Sequence, residues 1–339
     1  MLLGQDGVTN GAIYALLALA LVLVFAVTRV IFIPQGEFVA YGALTLAMIE
    51  AGRLPGTLWL LLGAGVLVVA LDGLDALRRG GAVRLFQVVA ANILYPLALL
   101  VLMRSMATDT WPLAAKVLLT LAVVVPLGPM IYRIAYQPVA EASVLILLIV
   151  SVAVHVAMVG LGLLFFGAEG SRTSAFSDAN FTVGPMMVSG QSLWVIGTSL
   201  GLIIALALFF NRTIYGKALR ATAINRAGAR LMGISPALAG RLTFMLAALI
   251  GALSGVLVAP IATIYYDTGF LIGLKGFVAA IIGGLASYPI AALGAILVGV
   301  LEAFSSFWAS AYKEVIVFTL IIPVLVWRSL TSHHVEEDE

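Results

Sequence analysis

The chain has 339 residues, 63% hydrophobic and 10% charged, with a mean hydropathy of +1.15. Its net charge of +2 is too small to suggest nucleic-acid binding, and the 18 basic residues are clustered rather than spread. Cysteine is absent and the histidines are limited to His155, His333 and His334, which excludes disulfide frameworks, thiolate metal sites and a cysteine nucleophile; no metal or cofactor is expected.

Apolar runs of the ~20 residues needed to cross a bilayer recur throughout, and the period-2 alternation of a barrel is missing. The fold class is therefore all-α, a polytopic membrane helical bundle forming one transmembrane domain over 1–330. The first apolar run, 8–27, precedes the first basic residue, Arg29, whereas a cleavable signal peptide needs positive charge ahead of its apolar core; this run reads as a retained span. Further spans follow at 37–51, 56–76, 85–103, 112–131, 144–166, 193–210, 242–263, 270–285, 290–307 and 311–327, eleven in all. Segments 37–51 and 270–285 are short for a full crossing and flanked by Gly and Pro, so each reads as a broken or re-entrant helix buried in protein. Asp75 stands three and four residues before Arg78 and Arg79 and is expected to pair with them. The polar stretch 167–190 is expected to form a ledge on the outer face, and the acidic end 331–339, with His333 and His334, a solvated disordered tail.

Between Asn211 and Leu242 the chain carries Arg212, Lys217, Arg220, Arg226, Arg230 and Arg241 and no acid. Projected onto a helix, 216–234 puts Ala221, Ile224, Gly228 and Leu231 on one stripe and turns Arg226 and Arg230 the other way. Gly216 before it, and Gly233 to Pro236 after it, supply start and stop signals, so a short amphipathic helix lying across the membrane face is expected. Two readings of its charge stand: a partner's groove gripped by apolar anchors, or positive-inside bias and anionic lipid alone. If this loop is cytoplasmic, alternation puts Arg29, Arg78, Arg79, Arg84, Arg133 and Arg328 inside too, so that twelve of the 18 basic residues lie inside, with the amino terminus out and the carboxyl terminus in.

Several stretches then resemble one family. Gly216-Lys217-Ala218-Leu219-Arg220-Ala221, with Asn225, Ala229, Leu231, Gly233 and Ile234, resembles the coupling-helix region of permease subunits in branched-chain amino-acid ABC importers, the LivH-like family. Asn10-Gly11-Ala12-Ile13-Tyr14-Ala15-Leu16 is similar to its opening span, Gly36-Glu37 to the start of its second, and Arg133-Ile134-Ala135-Tyr136-Gln137-Pro138-Val139 to a further motif. Gly276-Phe277 through Ile282-Gly283-Gly284-Leu285, then Gly294, Gly299, Glu302 and Ala303, resemble its carboxyl-terminal part. The chain departs from the pattern at Ile33-Pro34-Gln35, at Ala286 and Ile290, after Pro323, and in an apparent inserted helix pair over about 53–111, read as a lipid-facing addition. The resemblance implies ATPase coupling through Gly216, Lys217, Arg220, Ala221, Asn225, Arg226, Ala229, Arg230, Leu231 and Gly233. It also implies a second homologous permease subunit, two ABC ATPase subunits and a periplasmic solute-binding protein, in a bacterial inner membrane.

Ionisable side chains inside spans are costly and so are functional candidates. Lys275 and Glu302 lie at matching depths below the outer face, which permits an ion pair that either shapes the substrate pathway or is a static, mutually neutralising couple. Glu37 follows Gly36 at a helix start expected on the cytoplasmic side, where it either caps the helix or contacts the basic loop. His155, alone in an apolar span, reads as a satisfied buried histidine rather than a proton relay. Tyr265, with Tyr266 and Asp267, forms a polar aromatic knot near the outer mouth. No Gly-x-x-x-x-Gly-Lys-Ser/Thr phosphate loop is present, so the energy source is expected in another chain. The rival readings are a self-contained secondary transporter or channel and a membrane-embedded enzyme, the latter without a convincing acid/base pair, nucleophile triad or other catalytic residues.

Overall fold

A computed structural model describes residues 2–79, 81–183 and 186–331. Beyond Thr331 the expected acidic tail lies outside the described residues, as do the side chains of Asp75, Arg78, Arg79, Arg84 and Arg328 and the pairing expected for Asp75. The helices are α1 (Leu2–Thr28), α2 (Gln35–Glu50), α3 (Thr57–Arg79), α4 (Gly81–Val89), α5 (Tyr95–Ser105), α6 (Leu113–Val124), α7 (Leu127–Ile131) and α8 (Val144–Phe166). After a two-stranded hairpin, β1 (Asn180–Val183) and β2 (Met186–Ser189), come α9 (Gly190–Arg212), α10 (Ile214–Ile224), α11 (Arg226–Leu231), α12 (Pro236–Val258), α13 (Thr268–Ile282), α14 (Tyr288–Trp308), α15 (Lys313–Thr319) and α16 (Ile321–Thr331). Two π-helical turns interrupt this series, Ala90–Leu94 after α4 and Tyr132–Tyr136 after α7.

Each of the eleven expected apolar segments falls on helix, and eight helices among the described residues are long and apolar enough to cross a membrane. The other three are Thr57–Gly73, α13 and α2. At ~1.5 Å per residue, α2 and α13 reach only ~24 and ~22 Å, short of the ~30 Å hydrocarbon layer. Between α1 and α2 the chain is not helical: Arg29 takes the left-handed region at φ 61°, and residues 29–34 run back into the bundle.

Side-chain contacts measure how far they run. At the basic face Leu23 and Val27 of α1 cluster with Leu219 and with Ala239 of α12. Phe32 packs on Phe244 with ring centroids 4.7 Å apart, and Gln35 and Phe38 lie against Gly251. The rise from Ala239 to Gly251 along α12 is ~18 Å, within the ~23 Å that seven residues can span. The start of α2 therefore lies deep in the bundle, and from there the helix runs past Gly255 to Glu50, whose carboxylate accepts from Ser174 N–H and Oγ at the opposite face.

Backbone polarity along this segment is absorbed locally. Val30 N–H donates to Thr28 Oγ1 at 3.4 Å, Ile33 N–H to the Ile31 carbonyl at 3.0 Å, and Gln35 N–H to the Phe32 carbonyl at 3.2 Å. Val30, Phe32, Gln35 and Glu37 are all buried, so irregular backbone is tolerated here because protein surrounds it.

α2 and α13 meet in opposite directions, Gly36 against Gly269 and Gly273, and Ala40 against Gly269. A Cβ on Gly36 would stand 3.0 Å from Gly273 Cα and would overlap the Gly269 carbonyl, so this crossing exists only with glycine. Gly36→Ala is expected to destabilise the protein by about 1–3 kcal/mol through overpacking. Gly201→Ala on the exposed side of α9, where a Cβ meets nothing within 4 Å, is expected to cost nothing and to stabilise by up to about 1 kcal/mol. Thermal unfolding in detergent micelles, followed by circular dichroism, checks both.

Candidate functional site

The basic loop is built from two helices, not the single one expected over 216–234. Thr213 caps α10 by accepting from Gly216 N–H at 2.9 Å, and Asn225, with extended φ −147° and ψ 99°, ends α10 and caps α11 by accepting from Gly228 N–H at 2.8 Å. An asparagine that satisfies the first turn of a new helix breaks the old one, and amphipathic periodicity does not register that break. Gly233, at φ 82°, then closes α11 and turns the chain into α12, capped by Ser235.

The faces also differ from the expected stripe. The buried positions are Gly216, Leu219, Thr222 and Ala229, with Ala221 and Gly228 half-buried. Ile224 is 84% exposed, Leu231 88% and Met232 83%, so the largest apolar side chains of this segment point out of the protein. Arg226, expected to point away, instead donates to the Ala140 carbonyl at 3.0 Å and fastens α11 to the end of the α7 limb. Arg230 is exposed and 3.9 Å from Glu141, a weak surface pair; Arg220 donates to Asn211 Oδ1 at 2.8 Å and to the Phe210 carbonyl, and Lys217 is exposed. The element is thus anchored by Leu219 and Arg226 and presents Ile224, Leu231, Met232 and Arg230 outward.

In the bundle, Lys275 and Glu302 form the ion pair that their matched depth suggested, at 7% and 10% side-chain exposure. The cluster is larger than expected. Tyr14 Oη donates to Glu302 Oε2, Lys275 Nζ donates to Glu302 Oε1, and Glu314 Oε1 lies 3.3 Å from the same ammonium. The ammonium also stands 5.8 Å from the Tyr14 ring centroid. Two carboxylates thus face one cation beside a cavity of about 570 Å³ that Asp6, Thr9 and Lys313 help to line at the opposite face. Sequence reading missed Tyr14 and Glu314 as partners; both are polar groups next to apolar runs, a signal available without a structure.

Glu37 lies elsewhere than expected. Because 29–34 climbs into the bundle, Glu37 sits deep, 1% exposed, with its carboxylate 3.1 Å from His155 Nδ1 on α8. The two atoms face each other without a well-aligned hydrogen bond. Glu37 therefore does not meet the basic loop, and His155 is not alone; its ring also packs 4.7 Å from that of Phe270. Tyr265 does stand at the opposite face, half-exposed and packed on Gly170 of the 167–190 segment, which joins the adjacent chain through the Ser171–Ile264 bridge. Tyr265, Glu37 and the Lys275 cluster are separate features. Among the described residues no group of three His, Asp or Glu side chains is placed to hold a metal ion.

A family model described as the permease component of the branched-chain amino acid transport system matches residues 82–325, most of the chain. The chain belongs to this family. Its relatives include the high-affinity branched-chain amino acid transport system permease protein BraD of Pseudomonas aeruginosa, 28% identical over 331 residues, covering 95% of this chain and 92% of that one. The corresponding LivH protein of Escherichia coli is also 28% identical, over 344 residues, covering 95% of this chain and 91% of that one. Among solved structures, PsaBC from Streptococcus pneumoniae in complex with Fab is similar at a TM-score of 0.38 and 11% identity, covering 97% of this chain and 95% of that chain. This permease is a multi-pass membrane protein.

Lys275→Met would leave Glu302 and Glu314 without their cation, and is expected to cost about 3–5 kcal/mol, as loss of one partner of a buried pair does. Glu314→Gln, which leaves the Lys275–Glu302 pair intact, is expected to cost less than about 1 kcal/mol. Reversible unfolding in mixed micelles separates the two.

Proposed function

We propose that this permease is the non-catalytic transmembrane subunit of an ATP-driven importer that carries a branched-chain amino acid or a related small polar solute across a bacterial inner membrane. A second homologous permease subunit, two ABC ATPase subunits and a periplasmic solute-binding protein complete the assembly. The face with α10 and α11 is cytoplasmic, the amino terminus is periplasmic and the carboxyl terminus cytoplasmic.

The observation that carries this reading is the outward display of Ile224, Leu231 and Met232 on an element whose inner side is fastened to the bundle. Apolar side chains above 80% exposure next to a guanidinium fit a partner's groove better than a charged lipid surface. Leu219 packs on Leu23 and Val27 of α1, so a load applied to α10 is borne directly by a helix that runs the height of the bundle. ATP-driven closure of the partner ATPases would push here and rock the bundle between its two access states. The names of BraD and LivH support the cargo class. Glu37, Tyr265, Lys275 and Glu302 are the candidates for the solute pathway, and α3 to α5 are the lipid-facing addition.

The test is solute-stimulated ATP hydrolysis by the reconstituted complex with its loaded binding protein. Leu231→Asp and Ile224→Asp are each expected to lower it at least about ten-fold, since a charge placed in a desolvated anchor pocket costs more than 1.4 kcal/mol. Gel filtration confirms that the variant permease remains folded. Unchanged hydrolysis when 220–231 is scrambled in a folded complex, or uphill transport by the permease alone, overturns the reading.

A further inference from the structure

Helices α3 to α5 do more at the basic face than pad the bundle. Asp72 of α3 receives Arg133 Nε at 2.6 Å on one carboxylate oxygen and Arg241 Nη2 at 3.3 Å on the other. Gln137 Oε1 also accepts from Arg241, at 3.3 Å. These residues border a cavity of about 760 Å³ that Gln87 and Asn92 also line.

Three features of this cavity point to a ligand. Its described side chains carry two guanidinium groups against one carboxylate, a net positive charge in a recess between membrane helices. Asp72 engages Arg133 through Nε, which leaves the two terminal nitrogens of this cavity-lining guanidinium free to donate, and Gln137 keeps its amide N–H groups as donors. Asn92 Nδ2 is spent on the Val88 carbonyl, which leaves its Oδ1 as an acceptor. The second feature is local backbone. Asn92 sits in one π-helical turn and Arg133 in the other, and both π turns border this one cavity. π turns are rare and recur at functional sites because they re-aim a side chain out of helical register.

The third feature is the outer wall. Few residues of the Leu85–Ser105 segment are buried, and Leu94, Leu97 and Val101, which follow Asn92, are exposed apolar side chains. A donor-rich recess beside an exposed apolar helix face matches a molecule with an anionic head and apolar tails. We infer that this cavity binds the phosphate of an anionic phospholipid, held by Arg133, Arg241 and Gln137, with a headgroup hydroxyl on Asn92 and the acyl chains along α5. Asp72 holds the two arginines in place and limits the affinity.

A free phosphate ion offers the same anionic chemistry without the tails, and the experiment separates the two. Full-length protein in detergent micelles is incubated with dioleoyl phosphatidylglycerol, dioleoyl phosphatidylcholine or sodium phosphate and read by native mass spectrometry. One phosphatidylglycerol per chain is expected to survive activation that strips phosphatidylcholine. Arg133→Gln is expected to lower its retention about five-fold, the effect of one basic residue near anionic lipid. Asn92→Leu, which leaves the Asp72 bridges intact, is expected to lower it as well. Asp72→Asn is expected to raise it, whereas a purely structural bridge would lose lipid along with stability. Should Arg133→Gln not fold, the Asn92 and Asp72 variants decide. Equal retention of the two lipids, lower retention in folded Asp72→Asn, or displacement of phosphatidylglycerol by sodium phosphate would overturn the assignment.

Discussion

Every polar backbone group inside a bilayer must find its partner within the protein, and this fold meets that demand at one difficult place, the non-helical run 29–34. Thr28 Oγ1 and two tight turns take up the N–H groups of Val30, Ile33 and Gln35, while Phe32 fills the space between Phe38, Tyr136 and Phe244. That aromatic cluster covers the buried side of the irregular backbone. Because the chain regains depth without a helix, α2 starts inside the bundle, and only then do Gly36, Gly269 and Gly273 come together. The same geometry delivers Glu37 to His155. A carboxylate at the first turn of a buried helix is favoured by that helix's unpaired N–H groups, which offsets part of the cost of keeping it there.

α13 carries two different kinds of contact. Toward α2 it offers Gly269 and Gly273, and the contact is backbone on backbone. Toward α1 and α14 it offers Gly276 and Lys275, and the contact is an ion pair completed by Tyr14. The glycine contact already favours one register, because a shift would bring side chains into the crossing. The ion pair holds that register too, because an ammonium displaced by one turn would leave two carboxylates uncompensated in a low-dielectric site. The combination fixes the register of α13 as well as its position.

Much of this was legible in the sequence. Apolar runs located every helical limb, Gly and Pro flanks marked α2 and α13 as short, and equal distance from the outer ends paired Lys275 with Glu302. Glu37 was misplaced for a specific reason: alternation along the chain assumes that each short loop stays at a membrane face, and a non-helical run as short as 29–34 can carry the chain back into the bundle unnoticed. The coupling segment failed differently. It was read as one helix with Ala221, Ile224, Gly228 and Leu231 on a single stripe; Asn225 breaks it in two, and while Ile224 and Leu231 face outward as anchors for a partner's groove would, Ala221 and Gly228 are half-buried and the bundle is gripped by Gly216, Leu219 and Thr222. Small residues next to a close-packed surface and large apolar ones left bare are the pattern of an element built to be covered by another chain. Neither π turn had a sequence signature, because one extra residue in a helix leaves composition untouched.

α1 links these features into one mechanical unit. It is 27 residues long without a proline, and it touches α10 through Leu23 and Val27, α13 through Leu17, and α14 through Gly7 and Gly11. An unbroken helix transmits axial and tilting displacement with little loss, because bending it requires stretching its hydrogen bonds. Under the proposed role, a push on α10 at the basic face reaches Tyr14, and through Tyr14 the carboxylate of Glu302. The ion pair and the cavity at the opposite face then respond to work done at the far end of the same helix.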